Sequence, residues 1–395
     1  MSLTFVHTSD WHLGRAYQRL GRKTSALRQW RFDAIHRVYD LADSQRAAFI
    51  LVAGDVFQSD TPRADVMAEV LALLADAPVP TIIIPGNHDP LTEGSVWRRD
   101  EFAGQLAGRS NIRLALTCEP LELDFCDTTV FPCPVTSNST PEDLSSWIPA
   151  GTRGGSRYRI GLAHGRWQGY SGEPYAVNFI AANRAEAAGL DYLALGDFHS
   201  YTLADHPAAK ARCYYAGTSE CTACDEPRAG YALLVQLDAP GDEPRVAPHR
   251  VGKMRPMVIA ETLSPEAGYG PLQQKIDGLE DADDVLLKLE VSGALNESDF
   301  QDFTAWAAGL DQRLLGVDGQ LGALYREPSR ADFDTLGLGK AEREVLEALQ
   351  QPPQASSATE GDDAQVLIAG LASRPEICRE ALALYYRELK QESQA

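Results

Sequence analysis

Residues 3–15 read LTFVHTSDWHLGR, a short apolar run that ends at Thr8 and then offers Asp10 and His12 within four residues. The same pattern recurs four times. AFILVA precedes Gly54-Asp55, TIIIP precedes Gly86-Asn87-His88-Asp89, RIGLA precedes His164-Gly165, and YLAL precedes Gly196-Asp197-Phe198-His199. Apolar runs this short and this rich in branched residues predict buried strands of an α/β domain. Residues just past the carboxyl ends of such strands converge on one crevice, so donors far apart in sequence can meet there. Asp, Asn and His donors without cysteine suit hard or borderline divalent ions such as Mn2+, Mg2+ or Fe2+. Each piece alone is common; five in this order, each closing a strand, predict a metal centre.

That order resembles the calcineurin-like metallophosphoesterases, whose pattern runs DxH, GD, GNH[DE], H and GHxH. HTSDWHLGR, VAGDVFQSDTP and IPGNHDP are more narrowly similar to the SbcD branch, the nuclease subunits of DNA double-strand-break repair complexes. The likeness covers about the first 220 residues and beyond them rests on layout. It implies a sandwich of two β-sheets flanked by helices and two divalent ions, Mn2+ first, with Mg2+ or Fe2+ as alternatives. Carried over residue by residue, it implies that Asp10, His12 and His199 hold one ion, that Asn87, His164 and Asp197 hold the other, and that Asp55 bridges them. Two ions sharing a carboxylate can activate a water for in-line attack on a phosphodiester. In the family the histidine at the position of His88 contacts the scissile phosphate and protonates the leaving oxygen.

The chain departs from the family pattern twice. Asp197 stands where GHxH has its first histidine, and Gln58 stands where some relatives carry an acid or a histidine. A carboxylate can ligate an ion, so occupancy of the second site becomes the open question. Asp89 either orients His88 or caps the segment that follows.

Outward from these motifs, residues 24–46 place Leu27, Trp30, Ile35, Val38, Tyr39 and Leu41 at helical spacing, and a second helix is expected from Pro62 through Leu74. Residues 1–250 read as the metallophosphoesterase domain. MVIAET, VLLKLEV and LGALYRE, with helices expected near 271–280 and 298–310, make 251–350 a small α+β capping domain. QPPQASSATEGDD, residues 351–363, reads as a flexible linker, and 364–395 as a helical tail. In that tail Cys378, Leu382, Tyr385 and Leu389 form one apolar stripe behind Pro375, which suits docking.

Net charge is -20, which is unfavourable for a nucleic-acid binder until it is divided. Residues 251–395 hold 13 basic and 26 acidic side chains, so only -7 falls on residues 1–250. Residues 14–37 carry seven Arg or Lys against the single acid Asp33, either a local basic surface or a solvated helix face. Seven scattered cysteines argue against a disulfide framework, and Cys221 and Cys224, a single CxxC, lack the second pair or the histidines of a zinc site. No apolar run is long enough to span a membrane and the N-terminus lacks a signal core, so a cytoplasmic protein is expected.

The leading function is therefore a two-metal nuclease on DNA ends. Arg15, Arg98 and Arg99 are its candidate phosphate contacts, and an SMC-like ATPase of the SbcC type is the partner expected at the tail. A homodimer is left open. The alternatives are a calcineurin-like phosphodiesterase acting on a nucleotide or phosphoprotein, and a non-catalytic subunit that regulates the ATPase.

Overall fold

The computed structural model describes residues 2–17, 23–152, 154–155, 157–168, 177–203, 205–328, 333–334, 337–350, 381–386 and 389. The chain divides into two compact units, Met1–Pro256 and Met257–Ala395.

In the first unit the strands are β1 (Leu3–Thr8), β2 (Ile50–Ala53), β3 (Thr81–Ile84), β4 (Ile112–Leu114), β5 (Leu121–Leu123), β6 (Thr128–Cys133), β7 (Tyr158–His164), β8 (Arg166–Trp167), β9 (Phe179–Ile180), β10 (Tyr192–Gly196), β11 (Cys213–Tyr215), β12 (Tyr231–Leu237) and β13 (Arg245–Arg250). One six-stranded sheet runs β13-β12-β1-β2-β3-β4 and a five-stranded sheet runs β11-β10-β7-β6-β5. Strands β1 to β4 are mutually parallel, as are β6, β7, β10 and β11. All five motif-bearing strands therefore point their carboxyl ends the same way within their sheets.

Strand periodicity sorts the core into layers. Leu3, Phe5, Leu51, Ala53, Ile82 and Ile84 of the first sheet share a cluster with Ile160, Leu162, Tyr192 and Ala194 of the second. Their neighbours Val6, Ile50, Val52 and Ile83 face the other way, toward helices α1 (Thr24–Ser44) and α2 (Ala64–Ala75). Phe131, Ala163, Leu193 and Leu195 form the outer layer of the second sheet. The result is the expected sandwich of two sheets flanked by helices. On α1, Leu27, Phe32, Ile35 and Val38 are buried, each worth roughly 1.5–3 kcal/mol relative to exposure, and Tyr39 is buried beside them. Trp30, expected on that apolar face, is instead half-exposed. Helix α2 begins at Ala64 rather than at Pro62, because Arg63 is extended (φ -65°, ψ 153°) and forms the N-cap.

The second unit carries a three-stranded sheet of β14 (Arg255–Leu263), β15 (Val285–Leu295) and β16 (Gly316–Arg326), with helices Gly270–Asp277 and Glu297–Gly309 contributing Leu272, Ile276 and Phe303 to its core. Residues 351–380, with Pro375, Cys378 and the expected linker, lie outside the described residues, as do Arg19 and Arg22. The described part of the tail is helical, and Leu382 and Leu389 pack with Phe333, Leu338 and Leu346 of the same unit. The described members of the stripe read as a docking face are therefore already covered by this chain. Among the described residues no helix is long and apolar enough to cross a membrane.

Candidate metal centre

Each motif places its donor by leaving its strand abruptly. Asp10 (φ 53°), His12 (φ 46°), Asp55 (φ 55°) and Asp197 (φ 99°) all occupy the left-handed region, unusual for side chains larger than glycine. The loops are laced together by backbone bonds, with Asp10 N donating to Gly54 O at 3.1 Å and His12 N to Asp55 O at 2.9 Å. Arg31 completes the frame. It is fully buried, and its guanidinium donates to Trp11 O, Cys221 O and the Tyr17 hydroxyl. The basic stretch of residues 14–37 is thus neither a uniform basic surface nor a plain solvated face.

Six of the expected residues converge in three overlapping groups whose ligand atoms lie within 4.8 Å of one another: Asp10, His12 and His199; His12, Asp55 and His88; and Asp10, Asp55 and His164. Oδ2 of Asp55 is 3.8 Å from His12 Nε2 and 3.6 Å from His164 Nε2, placing this carboxylate between the two sets. Asn87 joins through Oδ1, 2.9 Å from His164 Nε2. Asp197 sits at the edge, its Oδ1 3.9 Å from His164 Nε2 and its Oδ2 3.7 Å from Arg166 Nε. Its backbone N–H donates to Asp10 Oδ1 at 3.2 Å.

His88 differs from the other imidazoles in being exposed. Its ring stands edge-on to His12 at 4.8 Å, and Nδ1 lies 3.0 Å from Gln58 Nε2. Arg15 Nη1 donates to Oε1 of the same glutamine at 3.1 Å, which turns the amide N–H toward His88. Arg15 therefore reaches the centre through Gln58. Arg98 is exposed on the turn Val96–Arg98, and Arg99 donates to Gly94 O; neither makes a described contact with the cluster. Asp89 neither orients His88 nor caps a helix. It is fully buried and accepts from Phe57 N (2.9 Å) and Gly86 N (2.7 Å), tying the β2 loop to the β3 loop.

Burial pushes the Asp55 carboxyl up to about 6, with the charge of Asp10 adding to it and His164 opposing. Burial works against charge on His164, but Asp55, Asp10 and Asp197 together raise it to about 9. Burial and the neighbouring His199 and Arg31 hold His12 well below the ordinary histidine value. Among the described residues neither Asp10 nor Asp55 has an Arg or Lys ion-pair partner, though both are buried. Two enclosed carboxylates, converging imidazoles and an asparagine oxygen, without sulfur, fit hard or borderline divalent cations.

Three contributors escaped the sequence reading. Glu226 Oε1 lies 2.6 Å from His199 Nδ1, with Thr222 Oγ1 at 3.0 Å from the same nitrogen, so His199 presents Nε2 inward. Arg166 stands beside Asp197, and the sequence shows Gln58 only as a departure from the family pattern, not as the partner of His88. None carries a spacing signal, because each acts across a loop contact.

A family model described as calcineurin-like phosphoesterase matches residues 3–201. The metallophosphoesterase YhaO of Bacillus subtilis is 24% identical over 223 residues, which is 52% of this chain and 51% of that protein. The DNA double-strand break repair protein Mre11 of Saccharolobus solfataricus is 33% identical over 87 residues, 21% of this chain and 22% of that protein. Among solved structures, an archaeal phosphodiesterase aligns over 62% of this chain and 100% of its own, at 12% identity and a TM-score of 0.31. The chain thus spans about half or less of the length of these curated relatives.

Proposed function

The chain belongs to the calcineurin-like phosphoesterase family, and on that premise we propose that it is a two-metal-dependent nuclease that hydrolyses DNA phosphodiesters at DNA ends. The observation that carries the reading is the exposed His88 at the rim of a donor set whose other members are buried or half-buried. Asp10, His12 and His199 would hold one ion, Asn87 and His164 with Asp197 beside them the other, and Asp55 would serve both. Such ions supply Lewis acidity and a water deprotonated at neutral pH.

The remaining steps belong to side chains. With Nδ1 accepting from the Gln58 amide, neutral His88 carries its proton on Nε2, where it donates to a phosphate oxygen. With the Nδ1 side taken by the Gln58 amide, Nε2–H is the proton His88 can offer to the leaving oxygen. Arg15 holds the glutamine in place and adds positive charge at the entrance. The likeness to Mre11 supports DNA as the substrate class and a repair role. On this reading residues 251–350 help to grip DNA, Arg98 and Arg99 steer phosphate, and an SMC-like ATPase docks on the tail by surface other than the stripe that Leu338 and Leu346 already cover.

A Mn2+-supplemented assay on linear duplex DNA and on a small phosphodiester tests this. Wild type should cleave both, and His88→Ala should keep both ions while losing most DNA cleavage. Loss of an ion from His88→Ala would remove its assignment as a non-ligand. Turnover of the small diester without DNA cleavage would favour a nucleotide or phosphoprotein substrate, and metal uptake without any turnover would favour a regulatory subunit.

A further inference from the structure

In a chain of net charge -20, residues 249–255 read HRVGKMR and contain no acid. The backbone of this segment is clamped. Val251 N and Gly252 N both donate to Gly230 O at 2.9 Å, and buried Glu220 accepts from Lys253 N at 2.7 Å and Met254 N at 3.0 Å. A Cβ at Gly252 would come within 2.7 Å of Gly230 Cα, so the two strand ends are in contact. The side chains of Arg250 and Lys253 project from this rigid support and are exposed.

Aromatic rings fix where those cations sit. Lys253 Nζ lies 4.4 Å over half-exposed Trp30, and Arg250 Cζ lies 5.7 Å over Tyr231. Tyr231 meets Tyr201 edge-on at 4.8 Å, and Arg228 Cζ lies 5.6 Å over Tyr201. Arg228 is also held by Asp205 at 2.7 Å, and Arg250 Nη2 donates to Met254 O at 2.7 Å, so the cations of the row are fixed in position. The row begins at the metal centre. Tyr201 is two residues past His199, and Arg228 is two past Glu226, which holds His199.

The geometry points to this Tyr201–Tyr231–Trp30 ridge as a docking track for single-stranded DNA leading to the metal centre, an inference that rests on the nuclease reading above. Cations pre-ordered over rings lose little side-chain freedom when they meet phosphates, and interleaved ring surfaces accept bases of any sequence by stacking. A duplex keeps its bases stacked internally and gains only the phosphate contacts.

Binding of a labelled single-stranded oligonucleotide and of a blunt hairpin duplex, measured by fluorescence anisotropy in EDTA between 50 and 200 mM salt, tests the track without turnover. For the single strand, the double variant Arg250→Ala/Lys253→Ala should flatten the plot of log affinity against log salt by about 1.4. Arg250→Lys/Lys253→Arg should keep the wild-type slope, and Trp30→Ala should weaken the single strand roughly fivefold or more while Trp30→Tyr restores it. An unchanged slope in the double alanine variant overturns the track, and so does an equal loss in the charge-conserving exchange, which would mark a structural effect. Equal weakening of the duplex by Trp30→Ala overturns the single strand as its occupant. Wild type that binds neither DNA overturns the nuclease reading together with the track, whereas binding that no variant alters removes the track alone.

Discussion

The Nε2 atoms of His12 and His199 face each other at 3.1 Å, and Glu226 Oε1 stands 2.6 Å from the far nitrogen of His199. With Nδ1–H of His199 given to the carboxylate, its Nε2 lone pair points at another imidazole nitrogen, an arrangement that invites a cation. Glu226 is therefore a positioning residue, fixing the tautomer and the ring plane. Glu226→Ala should weaken the ion held by Asp10, His12 and His199 by about 10–100-fold and leave the other ion unaffected. Calorimetric titration of metal into metal-free wild type and variant checks this, and equal affinities would show that the contact has no bearing on binding.

Two glycines admit the donors. A Cβ at Gly86 would lie 2.2 Å from Asp55 Oδ1, and one at Gly54, where φ is +85°, would lie 2.5 Å from His164 Nδ1. Gly86→Ala should destabilise by about 1–3 kcal/mol, as overpacking does, and abolish uptake of at least one ion. Gly94→Ala is the control, because its added Cβ would meet nothing within 4 Å. Denaturant midpoints and metal stoichiometry of the three proteins decide it, and a Gly86→Ala protein matching wild type in both would contradict the crowding.

The raised His164 (about 9) and Asp55 (about 6) mean that the metal-free pocket carries protons that a dication displaces. Metal affinity should therefore climb as pH rises from 6 to 9, with protons released on binding. The stability signs agree. Both folded pKa values lie above the ordinary ones, so the stabilisation from His164 is complete below 6.5 and is lost as pH rises through 9, while that from Asp55 is lost between 3.8 and 6. The metal-free melting temperature should fall from pH 6 to 9, and saturating metal should remove the fall. Thermal scans with and without metal across that range check the sign, and a metal-free protein that melts higher at pH 9 than at pH 6 would refute it.

The strands and the residues that close them were readable because short apolar runs of four to seven residues closed by glycine or polar residues have few alternatives, and because parallel strands deliver their ends to one side. Asp10, Asp55 and His164 meet for that reason alone. Glu226 was not readable, since only the return of the segment after β11 brings it behind His199. Arg31 misled for a similar reason. On α1 it takes the spacing of a surface cation, yet the carbonyls of Trp11 and Cys221 enclose it from segments 20 and 190 residues away. Trp30 shows the converse, an apolar residue at core spacing left half-exposed and covered by Lys253.

Asp197 marks where the chain departs from its family's pattern, and His164 and Arg166 stand on either side of its carboxylate. Its Oδ1 is 3.9 Å from His164 Nε2, close enough to share an ion, while its Oδ2 is 3.7 Å from Arg166 Nε and draws it toward solvent. If Asp197 is a ligand, a hard anionic oxygen replaces an imidazole and tilts the second site toward Mn2+ or Mg2+ and away from zinc. Asp197→Ala should then weaken the second ion and lower phosphodiester hydrolysis by roughly two orders of magnitude or more, because one of two Lewis acids is lost. Asp197→His should restore uptake and shift preference toward zinc. Arg166→Ala tests this, since freeing the carboxylate from its cation should strengthen the second ion only when Asp197 ligates it. Metal titrations of the metal-free wild type and these variants provide the measurement. Identical ion numbers and affinities in wild type and Asp197→Ala would assign Asp197 to Arg166 alone, leaving the second ion to Asn87, His164 and Asp55.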